Sequence, residues 1–130
     1  MPPEVVLLIS NYEKNDRWCQ WLREALDPLD LEIRCEKAAL GCVAGNRYIL
    51  IIVDAAATDD AAHLIRSLRS HQPEAPIIVF SASPTWERAR EAFRAGAMDY
   101  VRKPIGREEM RMLFIDMRAR VLPSSPNWKR

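Results

Sequence analysis

A chain of 130 residues with a formal net charge of +1 has the size and balance of one compact domain. Its 48% hydrophobic and 28% charged residues exclude wholesale disorder, and the near-neutral charge argues against direct nucleic-acid binding, which normally calls for an excess of Lys and Arg. The longest apolar stretch, residues 49–53 extended through 55–57, is interrupted by Asp54 and is too short for a membrane span. The start of the chain lacks the basic region and cleavage site of a secretory signal, so a cytoplasmic protein is expected.

Five short apolar runs alternate with segments of helical periodicity, which predicts an α/β domain with a parallel sheet. The runs are residues 5–9, 31–35, 48–53, 77–80 and 100–101. The first, third and fourth are continuously apolar, as strands covered on both faces are, whereas Leu31, Ile33 and Cys35 alternate with Glu32 and Arg34 as an edge strand would.

The first helix carries Trp18, Leu22, Ala25 and Leu26 on one face, is capped by Asn15 or Asp16, and is stopped by Pro28. Trp18 and Trp21, three apart, can both lean on the sheet with one left partly exposed. A short second helix is expected over residues 38–44, weakened by Gly41 and Gly45. Asp59 or Asp60 opens a third helix through Leu64, Ile65 and Leu68, which ends before Pro73. The fourth helix has Ser83 as its expected cap and Pro84 at its first position, with Gly96 free to turn left-handed after Ala95. Met110, Leu113, Phe114, Met117 and Val121 stripe a fifth helix after Gly106. Residues 1–121 therefore read as one domain, and residues 122–130, rich in Pro and Ser, as a tail or linker stub.

The three cysteines show no metal spacing and are expected as buried small hydrophobes rather than disulfides. No glycine pattern wraps a phosphate with backbone amides, so any phosphoryl chemistry must rest on side chains and a metal. Asp59, Asp60 and His63 fall within one helical turn; a capped, exposed helix start accounts for them better than a metal site.

Open parallel sheets bind ligands at the carboxyl ends of their strands. Those ends carry Ser10 and Asn11, Asp54, Ser81 and, just beyond the fifth run, Lys103. Such a set suits phosphoryl transfer: Asp54 as nucleophile, Lys103 pairing with phosphoryl oxygens, Ser81 donating to another oxygen, and Mg²⁺ in support. The plainer reading is that Asp, Ser and Asn gather wherever a strand hands over to a loop.

Four segments carry a resemblance: Val5-Val6-Leu7-Leu8-Ile9, Ile49-Leu50-Ile51-Ile52-Val53-Asp54, Pro76-Ile77-Ile78-Val79-Phe80-Ser81-Ala82, and Ala95-Gly96-Ala97-Met98-Asp99-Tyr100-Val101-Arg102-Lys103-Pro104. Over roughly residues 4–121 the chain resembles the receiver domains of two-component response regulators. The resemblance implies a doubly wound (βα)5, flavodoxin-like or CheY-like sheet of strand order 2-1-3-4-5. It further implies Asp54 as phosphoacceptor, Ser81 as switch hydroxyl, Lys103 as phosphate-pairing cation, Tyr100 as an aromatic switch, and a cis bond before Pro104 at the pocket. As a half-buried aromatic of an edge strand, Tyr100 has an equally plain structural reading.

The sequence departs from that pattern where it matters for metal. Receivers follow the first strand with two acidic residues, and here Ser10 and Asn11 stand there, leaving Asp54, the Asn11 amide oxygen and the Ala56 backbone carbonyl as a weakened Mg²⁺ site. Two functions follow. In one, Asp54 accepts a phosphoryl group from a histidine kinase, phosphotransfer protein or small donor, with at most self-catalysed transfer and autodephosphorylation. In the other, a degenerate receiver docks onto proteins without phosphorylation. Residues 1–84 hold 8 basic and 12 acidic side chains and residues 85–130 hold 11 and 6, so the part implied by resemblance to signal, the fourth helix, fifth strand and fifth helix, is basic. That face is the expected site for a downstream target, an output domain or a homodimer, although arginines on a solvated helix face need no partner.

Overall fold

The computed structural model describes residues 4–11, 16–103 and 105–121. Five strands form one parallel sheet in the order β2-β1-β3-β4-β5: β1 (Val5–Ile9), β2 (Asp30–Arg34), β3 (Leu50–Asp54), β4 (Ile77–Ser81) and β5 (Asp99–Arg102). The connecting helices are α1 (Arg17–Leu26), α2 (Glu36–Cys42), α3 (Ala61–His71) and α4 (Trp86–Ala95), with α5 (Arg107–Val121) closing the domain. The strand order and the edge position of β2 are those expected from the sequence.

Side chains alternate across a strand, and this period of two divides the core in half. Val6, Leu8, Leu50, Ile52, Ile78 and Phe80 face one layer with Trp18, Leu22 and Leu26 of α1 and Met110, Phe114 and Met117 of α5. Leu7, Ile9, Ile51, Val53, Ile77 and Val79 face the other, with Leu64, Ile65 and Leu68 of α3 and Ala92 and Ala95 of α4. Burial on both faces explains the unbroken apolar runs; each fully buried Leu, Ile or Phe contributes about 1.5–3 kcal/mol relative to exposure. Among the described residues no helix is long and apolar enough to cross a membrane.

Local chemistry sets the element ends. Asp16 caps α1 by accepting from the Trp18 amide at 2.8 Å, and Asp60 caps α3 by accepting from the His63 amide at 3.0 Å. Helix α4 begins later than expected. Thr85, not Ser83, is its cap, accepting from the Arg88 amide at 3.1 Å, while the Ser83 amide donates to the Ser81 hydroxyl at 3.2 Å. Pro84 thus lies in the loop, before the helix.

At the opposite end of the strands, Arg69 ties two connections together. Its guanidinium donates to the carbonyls of Gln72, Pro73, Ala75 and Gly96 at 2.7–3.2 Å. Gly96 has the left-handed φ of +120° expected for it, and a Cβ there would lie 3.1 Å from Arg69 Nε. Gln72 does the same for the α2–β3 loop, donating to Val43 and Asn46 and accepting from the Tyr48 amide.

The cysteine expectation holds in part. All three are free, but only Cys19 is buried; Cys35 is exposed at the start of α2 and Cys42 half-buried at its end. Asn15, the bond before Pro104 and the tail over 122–130 lie outside the described residues.

Candidate functional site

Three of the expected residues meet at the carboxyl ends of the strands. Asp54 ends β3 and is 4% exposed; Ser10 follows β1 and Lys103 follows β5, both buried. Each backbone is fixed by one further step of the sheet ladder, the Ser10 amide donating to the Arg34 carbonyl at 2.9 Å and the Lys103 amide to the Ser81 carbonyl at 2.8 Å. The Ser10 hydroxyl donates to Asp54 Oδ2 at 3.2 Å, and Lys103 Nζ lies 3.5 Å from that same oxygen. Asp54 Oδ1 accepts from the Ala56 amide at 3.2 Å, so the carboxylate also caps the 3-10 turn Ala55–Ala57.

Strand alternation decides what each end residue faces. Ser10 and Asp54 continue the parity of Val6, Leu8, Leu50 and Ile52, which puts them on the α1/α5 side of the sheet. Ser81 continues the parity of Ile77 and Val79, toward α3 and α4. Its hydroxyl therefore serves the β4–α4 loop, accepting from the Ser83 amide. Ser81 shares a cleft of about 380 Å³ with Asp59, Asp60, Arg88 and Tyr100. Tyr100 is half-buried and packs on the α3/α4 core layer, so the hydroxyl and the aromatic named as switch residues lie on one side of the sheet. Asn11 is exposed beside Ser10.

One site residue was not legible in the sequence. Trp18, in the first turn of α1, lies under the lysine: Lys103 Nζ is 4.5 Å from its ring centroid. The ring is held edge-on to Phe80, with centroids 5.4 Å apart and planes 83° apart, and Phe80 is the register partner of Asp54. Helical spacing marks Trp18 only as a core residue; nothing in that spacing announces a lysine.

Burial pushes the Cys19 thiol above its ordinary value, with Asp16 adding to the effect.

Among the described residues, Asp54 is the carboxylate that this end of the sheet offers to Mg²⁺. That ion favours octahedral oxygen coordination, commonly through one or two carboxylates. Here both oxygens of Asp54 already have partners, and one of those partners is an ammonium. Among the described residues no group of three His, Cys, Asp or Glu is placed to hold a metal, which includes Asp59, Asp60 and His63.

The model of the response regulator receiver domain matches residues 11–114, and the chain belongs to that family. The transcriptional regulatory protein PhoP of Escherichia coli is 42% identical over 68 residues, a match covering 50% of this chain but only 30% of PhoP. The chain thus matches less than a third of that relative's length. Among solved structures, a CheY-like receiver domain protein from Methanospirillum hungatei superimposes with a TM-score of 0.77 at 14% identity, covering 95% of this chain and 100% of the other. The receiver domain of a Pseudomonas aeruginosa sensor histidine kinase, with magnesium coordinated in its active-site cleft, gives a TM-score of 0.70 at 21% identity over 88% of this chain and 97% of that one. Two-component signalling is the setting of this family, whose domains work with histidine kinases and downstream targets and generally bind Mg²⁺.

Proposed function

We propose that Asp54 accepts a phosphoryl group from a histidine kinase, a phosphotransfer protein or a small acyl phosphate, acting in the cytoplasm as a single domain over residues 1–121. The observation that carries this reading is the buried pair of Asp54 and Lys103, 3.5 Å apart at the carboxyl end of a parallel sheet. A carboxylate oxygen of Asp54 attacks phosphorus; the P–O bond forms as the bond to the donor nitrogen or oxygen breaks, and the leaving group departs with that electron pair. Lys103 then pairs with a phosphoryl oxygen, compensating charge in a site with little water to do so. The Ser81 hydroxyl accepts from the Ser83 amide through a lone pair, which leaves its own hydrogen to donate to a second phosphoryl oxygen. Donating that hydrogen would re-aim the hydroxyl on which the Ser83 amide rests and give Tyr100 reason to move in the shared cleft, carrying the change to α4, β5 and α5. Hydrolysis reverses the modification: water attacks phosphorus, the P–O bond to Asp54 breaks, and inorganic phosphate leaves.

Among the described residues, Asp54, the Asn11 amide oxygen and the Ala56 carbonyl are the donors that Mg²⁺ would draw on, and with one shared carboxylate they make a weak site. The α4–β5–α5 face exposes Trp86, Phe93, Met112 and Ile115 among arginines, chemistry that suits a protein target, an output domain or a second copy.

The test is incubation with acetyl phosphate across Mg²⁺ concentrations, read by intact mass. One added phosphoryl group in the native protein and none in Asp54→Asn supports the proposal. No addition at any metal concentration rejects small-donor phosphorylation and favours the second reading, a phosphorylation-independent docking domain. That reading draws on Ser10 and Asn11 standing where receivers carry acids.

A further inference from the structure

We propose that Trp18 is a positioning residue for Lys103, its ring holding the ammonium where it can pass from Asp54 to an incoming phosphoryl group. The inference rests on Asp54 being the phosphoacceptor.

Lys103 is 8% exposed, so its ammonium has given up most of its water. Asp54 Oδ2 at 3.5 Å is beyond the roughly 2.7–2.9 Å of a tight charge-assisted hydrogen bond. The ammonium also lies over the ring of Trp18, whose quadrupole attracts a cation most strongly where water is excluded. Trp18 is well placed to hold it. The ring is 9% exposed, packed edge-on against Phe80, and its backbone amide is fixed by the Asp16 cap. Phe80 lies on the strand next to Asp54 in register, so ring and carboxylate are tied to one framework.

Neutrality is the chemical point. A carboxylate in the place of Trp18 would hold Lys103 more strongly but would oppose an arriving phosphoryl dianion. A ring restrains the ammonium without cancelling its charge, so the full cation stays available to the new phosphoryl oxygens.

The experiment follows the initial rate of labelling by acetyl phosphate in the native protein, Trp18→Phe, Trp18→Leu, Lys103→Ala and the double variant of Trp18→Leu with Lys103→Ala. Proton NMR of the Lys103 ε-methylene is the second readout. Trp18→Leu should slow labelling about tenfold, and Trp18→Phe, which keeps an aromatic face, about threefold or less. In the Lys103→Ala background the leucine substitution should cost nothing further, because its effect runs through the lysine. The Lys103 methylene protons should be shifted upfield by the ring current, and Trp18→Leu should abolish that shift. Equal losses in both backgrounds would mean that Trp18 acts through core packing and would overturn the proposal, as would an unshifted Lys103 in a protein that labels normally. An upfield-shifted Lys103 in a protein that never labels would instead reject the phosphoacceptor reading and, with it, the role assigned to Trp18 in transfer.

Discussion

Ser10→Asp restores one of the acids that receivers carry after their first strand, and its effect should reverse sign with metal. The Ser10 hydroxyl is 3.2 Å from Asp54 Oδ2 and the residue is 3% exposed, so an introduced carboxylate arrives buried and close to an existing one. Two like charges about 4–5 Å apart repel by roughly 3–4 kcal/mol at an effective dielectric of about 20. Lys103 beside the same oxygen offsets part of this, leaving a net loss of about 2 kcal/mol without metal. With two carboxylates in place Mg²⁺ gains a proper site, and at about 100 times its dissociation constant it returns about 2.7 kcal/mol. The assay is urea or thermal unfolding in chelator and in excess Mg²⁺, where each kcal/mol moves the midpoint by about 3–5 °C at this size. The native protein should respond little to Mg²⁺, whereas the variant should be weaker in chelator and recover in metal. If the native protein gains as much from Mg²⁺ as the variant, the lone-carboxylate account is wrong. A variant unchanged in chelator would show that position 10 does not confront Asp54.

Other expectations concern the scaffold around the site. Arg69→Met removes a donor that serves four carbonyls at once and should cost about 2 kcal/mol in urea unfolding, with Arg69→Lys recovering only part, since an ammonium cannot span that fork. Burial and the hydrogen bond to Glu32 push the Tyr48 hydroxyl above its ordinary value of 10.0. Because the folded value is the raised one, stability from this group is whole below pH 10 and is lost progressively as pH climbs toward the folded value; Tyr48→Phe should flatten that alkaline decline in unfolding free energy measured against pH. Thiol labelling at neutral pH should modify the exposed Cys35 first and the half-buried Cys42 more slowly. Cys19, fully buried, should react only on unfolding; early modification of Cys19 would contradict its burial beside the site.

The strands were legible because burial on both faces leaves a plain mark: residues 5–9, 50–53 and 77–80 are apolar without interruption. Asp54 and Lys103 stood out for the converse reason, as charged groups at the ends of such runs. Trp18 did not, because helical periodicity reports which face of α1 is buried and is silent on what meets it across the sheet. The start of α4 is not legible because Ser83 and Thr85 are both good caps by residue type, and only the fold shows Thr85 accepting from the Arg88 amide. Arg69 and Gln72 each bind carbonyls of distant loops, and no local pattern encodes partners 24 to 29 residues away. Resemblance assigned Ser81 and Asp54 to one pocket, while strand parity shows them leaning to opposite faces, so a phosphoryl group would have to bridge them.

Whether Asp54 itself receives the phosphoryl group is open to direct measurement. Borohydride reduction after acetyl phosphate treatment converts an aspartyl phosphate to homoserine, and peptide sequencing by mass then locates it. Homoserine at position 54 and at no other aspartate is the predicted result; reduction elsewhere, with position 54 intact, would contradict the account.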